Sequence, residues 1–473
     1  MKHRALIAAA LALSASVSLA EPPPPGEGEH AVEDAVETTV RRAAEGVSPR
    51  SLKSYVDHLA SYTTRHTLSR LGPRAGEIGE ARNWIETTFE RATRGGRRDG
   101  VLRATITQEP HTIEPDGKRF LERIEIRNVV CVIPGSMPEA VERRYYAIAH
   151  YDSRASLPMD ATSAAPGAND DASGVAVLLE LARVLARERL DSTIILMATA
   201  GEEQGLFGAR GHAEALGRGG YDIRAVLNND TVGDPTGPGG RSAPTEIRIF
   251  SEGLPAALFK DEERLGTGVR ALRRYASESD SPSRQLARYI AEVAERHSWL
   301  PVKPRLVFRP DRYLRGGDHT AFNEQGFAAV RLTEVYEHYD RQHQDVREEN
   351  GRMFGDTPDH VDPIYLAGVA QLNAATLIHL ANAPTPPPET RIIVAGLAND
   401  TTLRWSPSPE PDVAGYEIVW RDTTAALWEH SLDVGDVNEH TLDLSKDNWI
   451  FGVRAYDAGG FKSPVSMPTA ARE

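Results

Sequence analysis

Four apolar runs, each leading into acids or histidines, constrain this chain more than any other feature. "YYAIA" (145–149) ends at His150, "STIILMATA" (192–200) at Gly201-Glu202-Glu203, "IRAVLNN" (223–229) at Asp230, and "FAAVRLT" (327–333) runs into "EVYEHYDRQHQD". Short continuous apolar runs bounded by polar turns read as strands buried on both faces. Between the first two lies "SGVAVLLELARVLARE" (173–188), apolar at 175, 178, 179, 182 and 185, which is helical spacing. Strands alternating with helices predict an α/β fold: a mostly parallel mixed sheet covered by helices on both faces. In such sheets ligands bind beyond the carboxyl ends of the strands, where these acids and histidines fall.

The chain is 473 residues long, too many for one ordinary domain. It opens with Lys2, His3 and Arg4, an apolar stretch and the small-x-small sequence Ser18-Leu19-Ala20. That pattern predicts a signal peptide over 1–20 and export to the periplasm or medium. The apolar stretch is short of the roughly 20 residues a span needs, and no other long apolar run stands out, so no stable membrane span is expected. Residues 21–45 form a Pro/Gly-rich and polar segment, whose head "EPPPPGEGEH" is expected to be unstructured. Helical spacing appears over 48–68 and 76–93, with Ser48-Pro49 as a helix start, and "LERIEIRNVVCVI" (121–133) reads as strand. The main domain is placed at 46–383. A Pro-rich linker follows at 384–389. Residues 390–473 hold short strands with turn signals, the size of a β-sandwich, with Trp405, Tyr416, Trp449 and Tyr456 as core aromatics. This last region resembles a fibronectin type III domain.

Net charge is −14 and is spread along the chain, which excludes nucleic acid as the main partner, because a phosphate-binding face needs clustered Lys and Arg. Cys131 is the single cysteine, so an intrachain disulfide is impossible. An exported chain of this kind relies on its core, on metal, or on both. Oligomeric state is not legible.

Each candidate site residue has an ordinary structural use when taken alone. His150 can be a hydrogen-bonded strand-end histidine, Asp171 a helix cap, Glu202-Glu203 a solvated loop, Asp230 a turn residue and His343 surface. Together they change the reading, because four separate strand ends deliver such side chains to one sheet edge. Carboxylates converging without a cation repel one another and rise in pKa. Two histidines and several carboxylates suit zinc, and a pair of ions can share one carboxylate and one water.

The motifs "HYDS", "PGANDDASG", "GEEQGLFGA", "LNND" and "YDRQHQD" resemble the ligand motifs of the secreted dizinc aminopeptidases (metallopeptidase family M twenty-eight). Relatives of that family include glutamate carboxypeptidases and glutaminyl cyclases. The resemblance covers roughly residues 46–384. It implies two Zn²⁺ per chain, one held by His150 and Asp230, the other by Glu203 and His343, with Asp170 between them. It implies Glu202 as general base, Asp152 orienting His150 through its second ring nitrogen, and Asp171 turning the chain after a cis Asp170-Asp171 bond. His343 is preferred to His338 because Gln-His-Gln-Asp fits the motif better. Asp318 and His319 in "GGDHTAF" match a pocket element. Tyr313, Tyr336 and Tyr339 are candidates for a side-chain pocket or for packing. The expected reaction is hydrolysis of N-terminal residues from peptides with free N-termini. A carboxypeptidase or dipeptidase would use Arg312, Arg315 and Arg331 for a substrate carboxylate. A glutaminyl cyclase is disfavoured by the complete ligand set. In the remaining alternative the α/β domain is inert and the sandwich serves binding or adhesion.

Overall fold

The computed structural model describes residues 27–69, 77–94, 103–260, 262–275 and 277–472. The segment expected to be a signal peptide lies outside the described residues. Strands β1 (Thr105–Ile113), β2 (Ile124–Ile133), β3 (Arg143–His150), β4 (Thr193–Thr199), β5 (Asp222–Asn229), β6 (Glu246–Ser251), β7 (Lys303–Val307) and β8 (Ala329–Glu334) form a mixed sheet in the order β1-β2-β4-β3-β5-β8-β6-β7. Its central strands β4, β3, β5 and β8 are parallel neighbours, so their carboxyl ends share one edge. These are the four apolar runs.

The helices are α1 (Glu27–Glu45), α2 (Pro49–Ala60), α3 (Ile78–Thr93), α4 (Ala172–Leu185), α5 (Glu202–Gly205), α6 (Phe207–Gly219), α7 (Glu262–Tyr275), α8 (Pro282–Arg296), α9 (His319–Gln325) and α10 (Pro363–Asn382). Successive strand residues point to opposite faces, and β3 divides accordingly. Tyr145, Ala147 and Ala149 join the larger core under α1–α4, α8 and α10; Tyr146 and Ile148 join a smaller core under α6 and α9. Because both faces are covered, these strands carry no polar alternation.

Several expectations are corrected here. Helix α1 begins inside the stretch expected to be unstructured, and Val36, Val40 and Ala43 belong to the larger core, so the α/β body starts before residue 46. The helical spacing of 48–68 ends as helix at Ala60. Helix α10 is long and apolar enough to cross a membrane by length and composition, but 89% of its apolar window is buried within the fold.

After the short hairpin of β9 (Arg347–Glu349) and β10 (Arg352–Phe354), the chain ends in strands β11 (Arg391–Ile393), β12 (Thr401–Arg404), β13 (Val413–Asp422), β14 (His430–Gly435), β15 (Glu439–Leu442), β16 (Trp449–Asp457) and β17 (Thr469–Ala471). They make two sheets, β15-β12-β11-β17 and β14-β13-β16. Trp405 and Tyr416 are buried in their shared core, while Trp449 packs at its margin and the Tyr456 hydroxyl donates to Asp433. The segment expected to be a Pro-rich linker is packed. Pro384, Thr385 and Pro387 are buried, and Thr385 donates through its amide and its hydroxyl to Glu410, at 3.0 and 2.6 Å. Proline has no N–H to satisfy, so such a segment can run buried without orphaned donors. Arg143 of β3 pairs with Glu410 at 3.0 Å, Asp280 accepts from Arg421 at 2.8 Å, and Arg454 pairs with Glu292 at 2.8 Å.

Candidate active site

Three turns place the site. After β3, His150 stands at the strand end, and the chain returns through 151–169 to the cis Asp170-Asp171 bond. Asp171 caps α4 by accepting from Gly174 N at 2.9 Å, and it also accepts from the amides of His150 at 3.2 Å and Thr231 at 3.3 Å. One carboxylate thus ties the ends of β3 and β5 to the start of α4. Gly174 is required there, because a Cβ would lie 2.3 Å from the Asn229 carbonyl oxygen. After β4, Gly201 adopts φ +75°, a left-handed conformation open to glycine, and turns the chain into α5, whose first residues are Glu202 and Glu203. The Asp152 carboxylate accepts from the amides of both glutamates, at 3.2 and 3.1 Å.

The side chains converge as two donor sets, His150–Asp170–Asp230 and Asp170–Glu203–His343, in each of which the ligand-type atoms lie within 4.8 Å of one another. Asp170 belongs to both. Its Oδ1 is 3.1 Å from His150 Nε2 and its Oδ2 is 3.0 Å from His343 Nε2, which is also 3.1 Å from Glu203 Oε1. His343 takes this place and His338 does not: the nearest carboxylate of His338 is Asp340, at 3.8 Å. Oε1 of Glu203 is buried without a well-aligned hydrogen-bond donor.

The electrostatics follow from crowding. Burial, reinforced by Glu203, Asp230 and Asp318, pushes the Glu202 carboxyl well above the usual range. Burial opposes protonation of His343, but Glu203 and Asp170 override it and raise its pKa to about 10. Burial also works against His150, and Glu202, Asp152 and Asp170 again win, holding it well above an ordinary histidine. Mixed nitrogen and oxygen donors, a buried carboxylate oxygen without a well-aligned donor and a surplus of acids fit a zinc site.

Other expected residues sit differently. Nδ1 of His150 is held by the backbone oxygen of Asp152 at 3.1 Å, whereas the Asp152 carboxylate is 3.7 Å away and serves the α5 amides. Asp318 is buried beneath the site and accepts from the Thr199 hydroxyl. His319 is also buried, 2.9 Å from the Pro310 carbonyl oxygen. Tyr313 is 83% exposed with Arg309 stacked on it, and Tyr336 packs against Gly237, so neither tyrosine is on the cleft wall. Arg331 is wholly buried, bound to Asp230 at 2.8 Å and to Asp311 at 3.4 Å, so it steadies Asp230 rather than meeting substrate.

Three supporting residues escaped the sequence reading. Asp356 accepts from the amides of Asn169 and Asp170 at 2.8 and 2.7 Å, and Gln342 donates to Asp170 Oδ2 at 2.8 Å. Arg65 is fully buried and donates to the carbonyls of Tyr151 and Gly167 at 2.8 and 2.9 Å, bracing the loop between His150 and Asp170. Only Gln342, one residue from His343, had a local signal.

Comparison with known proteins agrees with this geometry. Residues 128–242 match the sequence profile of Peptidase family M28. The chain is 44% identical over 437 residues to a probable zinc metalloprotease of Leptosphaeria maculans, covering 92% of this chain and 98% of the relative. A probable zinc metalloprotease of Pyrenophora teres f. teres is 40% identical over 445 residues, with coverage of 94% and 89%. Among solved structures, LapB from Legionella pneumophila aligns with TM-score 0.48 at 20% identity, over 72% of this chain and 74% of its own. On the two donor sets and on relatives matched over nearly their whole length, the chain belongs to peptidase family M28 and is a zinc metallopeptidase.

Proposed function

We propose that this zinc peptidase is an exported aminopeptidase that works with two zinc ions. The observation that carries the reading is the pair of donor sets sharing Asp170, with Glu202 beside them on the same turn as Glu203. His150 and Asp230 would hold one ion, Glu203 and His343 the other, and Asp170 both. Bound zinc supplies Lewis acidity, polarising a peptide carbonyl and acidifying water at neutral pH. Glu202 takes a proton from the attacking water on its carboxylate and delivers it to the leaving amine. Asp152 fixes the amide of Glu202, so that the carboxylate starts from a defined backbone position. The acids of the cleft suit the cationic α-amine of a peptide N-terminus. Export is supported by the basic and apolar pattern of residues 1–20. The C-terminal sheets are read as fibronectin type III-like on strand number and size alone.

The test joins metal content with a peptide digest. Elemental analysis of zinc-loaded protein should find two ions per chain, and peptides should lose residues stepwise from a free N-terminus but not from an acetylated one. One ion, or none, sinks the dizinc reading. Residues released from the C-terminus of an acetylated peptide would assign a carboxypeptidase, and conversion of N-terminal glutamine without chain shortening would assign a cyclase.

A further inference from the structure

The catalytic cleft, of about 440 Å³, is lined by arginines as well as by acids. Beside the acids it is lined by Arg119, Arg154, Arg312, Arg315 and Arg331. Arginine makes up 47 of the 473 residues, so composition alone would place one or two guanidiniums, not five, around a cleft of this size.

Their partners show which are committed. Arg331 is buried against Asp230 and Asp311. Glu337 is shared by three arginines: Arg248 at 2.7 Å, Arg312 at 2.5 Å and Arg315 at 3.3 Å. Arg315 is the longest and most exposed of the three, and its other contact is the Tyr339 hydroxyl at 3.4 Å. Arg154 donates to the carbonyls of Ala155 and Ser156, at 3.3 and 3.2 Å, and its nearest carboxylate, Glu203, is 4.0 Å away. Arg119 donates to the Gln204 carbonyl at 2.9 Å. Its loop is pinned because Asp116 accepts from the amides of Lys118, Arg119 and Phe120. Three arginines thus reach the cleft with most of their donors uncommitted. A guanidinium offers a planar fork of donors that matches a carboxylate.

We infer that the cleft selects substrates bearing a carboxylate close to the scissile bond, held by Arg119, Arg154 and Arg315. This rests on the peptidase reading and names its substrate class. The carboxylate can belong to an acidic side chain or to the C-terminus of a very short peptide, and the chemistry is the same.

Matched pairs separate these sources. With zinc-loaded full-length protein, kcat/KM is measured for Asp-Ala-Ala-amide against Asn-Ala-Ala-amide, for Ala-Glu-Ala-amide against Ala-Gln-Ala-amide, and for Ala-Ala against Ala-Ala-amide. At least one pair should favour the carboxylate on the order of 10- to 100-fold, the size of one or two charge-assisted hydrogen bonds. That ratio should shrink with added salt and collapse toward one in Arg119→Gln, Arg154→Gln or Arg315→Gln. Ratios within about twofold for all three pairs, or a preference that survives all three substitutions, overturn the inference while leaving the peptidase reading intact. If no peptide is cut, the peptidase reading fails and binding decides. Glutarate binding more tightly than glutaramide, with the difference lost in Arg154→Gln, upholds the carboxylate site; equal binding of the two rejects it.

Discussion

The two ends of β3 both carry buried charge, and they solve it differently. At the amino end, Arg143 meets Glu410 at 3.0 Å with side-chain exposures of 4% and 1%, and Thr385 satisfies both oxygens of that glutamate. At the carboxyl end, His150 faces Asp170, and Asp230, Glu202 and Glu203 crowd the same edge, where Glu203 Oε1 has only the poorly aligned Nε2 of His343 at 3.1 Å. At the seam both Glu410 oxygens have donors and the atom left over is a cationic N–H, Arg143 Nε, while the catalytic edge has an excess of acceptors that calls for a cation. A buried ion pair whose remaining lone pairs are filled closes a structure. A buried set of acids held apart by backbone amides and capped turns is prepared for a ligand.

The largest expected effect of a single change is at the catalytic edge. Glu202→Gln keeps the shape and removes the proton carrier, so kcat should fall about 10²- to 10⁴-fold with zinc content unchanged. Steady-state kinetics and elemental analysis on the same preparation check it. Near-normal turnover would remove Glu202 from the chemistry, and loss of zinc would exchange the roles of Glu202 and Glu203.

At the other end of the strand the loss should appear in stability. Arg143→Met leaves Glu410 buried beside its Thr385 donors but without its cation, which costs about 3–5 kcal/mol when one partner of a buried pair is removed. The midpoint of urea unfolding reads this, and the folded fraction should keep its kcat because His150 stands at the far end of β3. A loss below about 1 kcal/mol would mean that the seam is open to water, and the two ends would no longer contrast in this way.

Asp152 joins the two behaviours, since it is a buried acid satisfied by amides that lies inside the site. Asp152→Ala orphans the amides of Glu202 and Glu203 and removes a group 3.7 Å from His150. Outer-shell changes of this kind cost about 10- to 100-fold in metal affinity or activity. Zinc titration should locate the loss in metal affinity; an unchanged affinity and rate would show that the α5 turn holds without the clamp.

The catalytic edge was more legible in sequence than the seam, for physical reasons. Strands β3, β4, β5 and β8 are buried on both faces, so they read as apolar runs whose ends point to the site. Strand β1, "TITQEPHTI", is an edge strand with alternating exposure and Pro110 within it, a pattern that argues against a strand unless its edge position is known. Strands β6 and β7 carry Arg248, Lys303 and Arg305, which hid them among polar residues. Arg331 did leave a trace, because an arginine inside a buried apolar strand must have a partner. Asp356 left none: its hold on Asp170 spans 186 positions of sequence. The packing of the seam was hidden because prolines mark free linkers and packed segments alike.

The smallest effect isolates burial from geometry. Arg404 and Glu439 form an ion pair at 2.5 Å, directly opposite one another on β12 and β15, with exposures of 51% and 49%. On distance alone this pair should outweigh Arg143–Glu410, which is longer at 3.0 Å. Water reverses the order. In high dielectric the Coulomb gain is small, two long side chains lose rotamer freedom, and an exposed partner left alone is simply rehydrated. Arg404→Gln should therefore change the unfolding free energy by about 0.2–1 kcal/mol at most, and less at high salt. A double-mutant cycle with Glu439→Gln measures the coupling directly. If it equals the loss in Arg143→Met, short contact distance rather than burial governs charge in this fold, and the contrast between the two ends of β3 needs another cause.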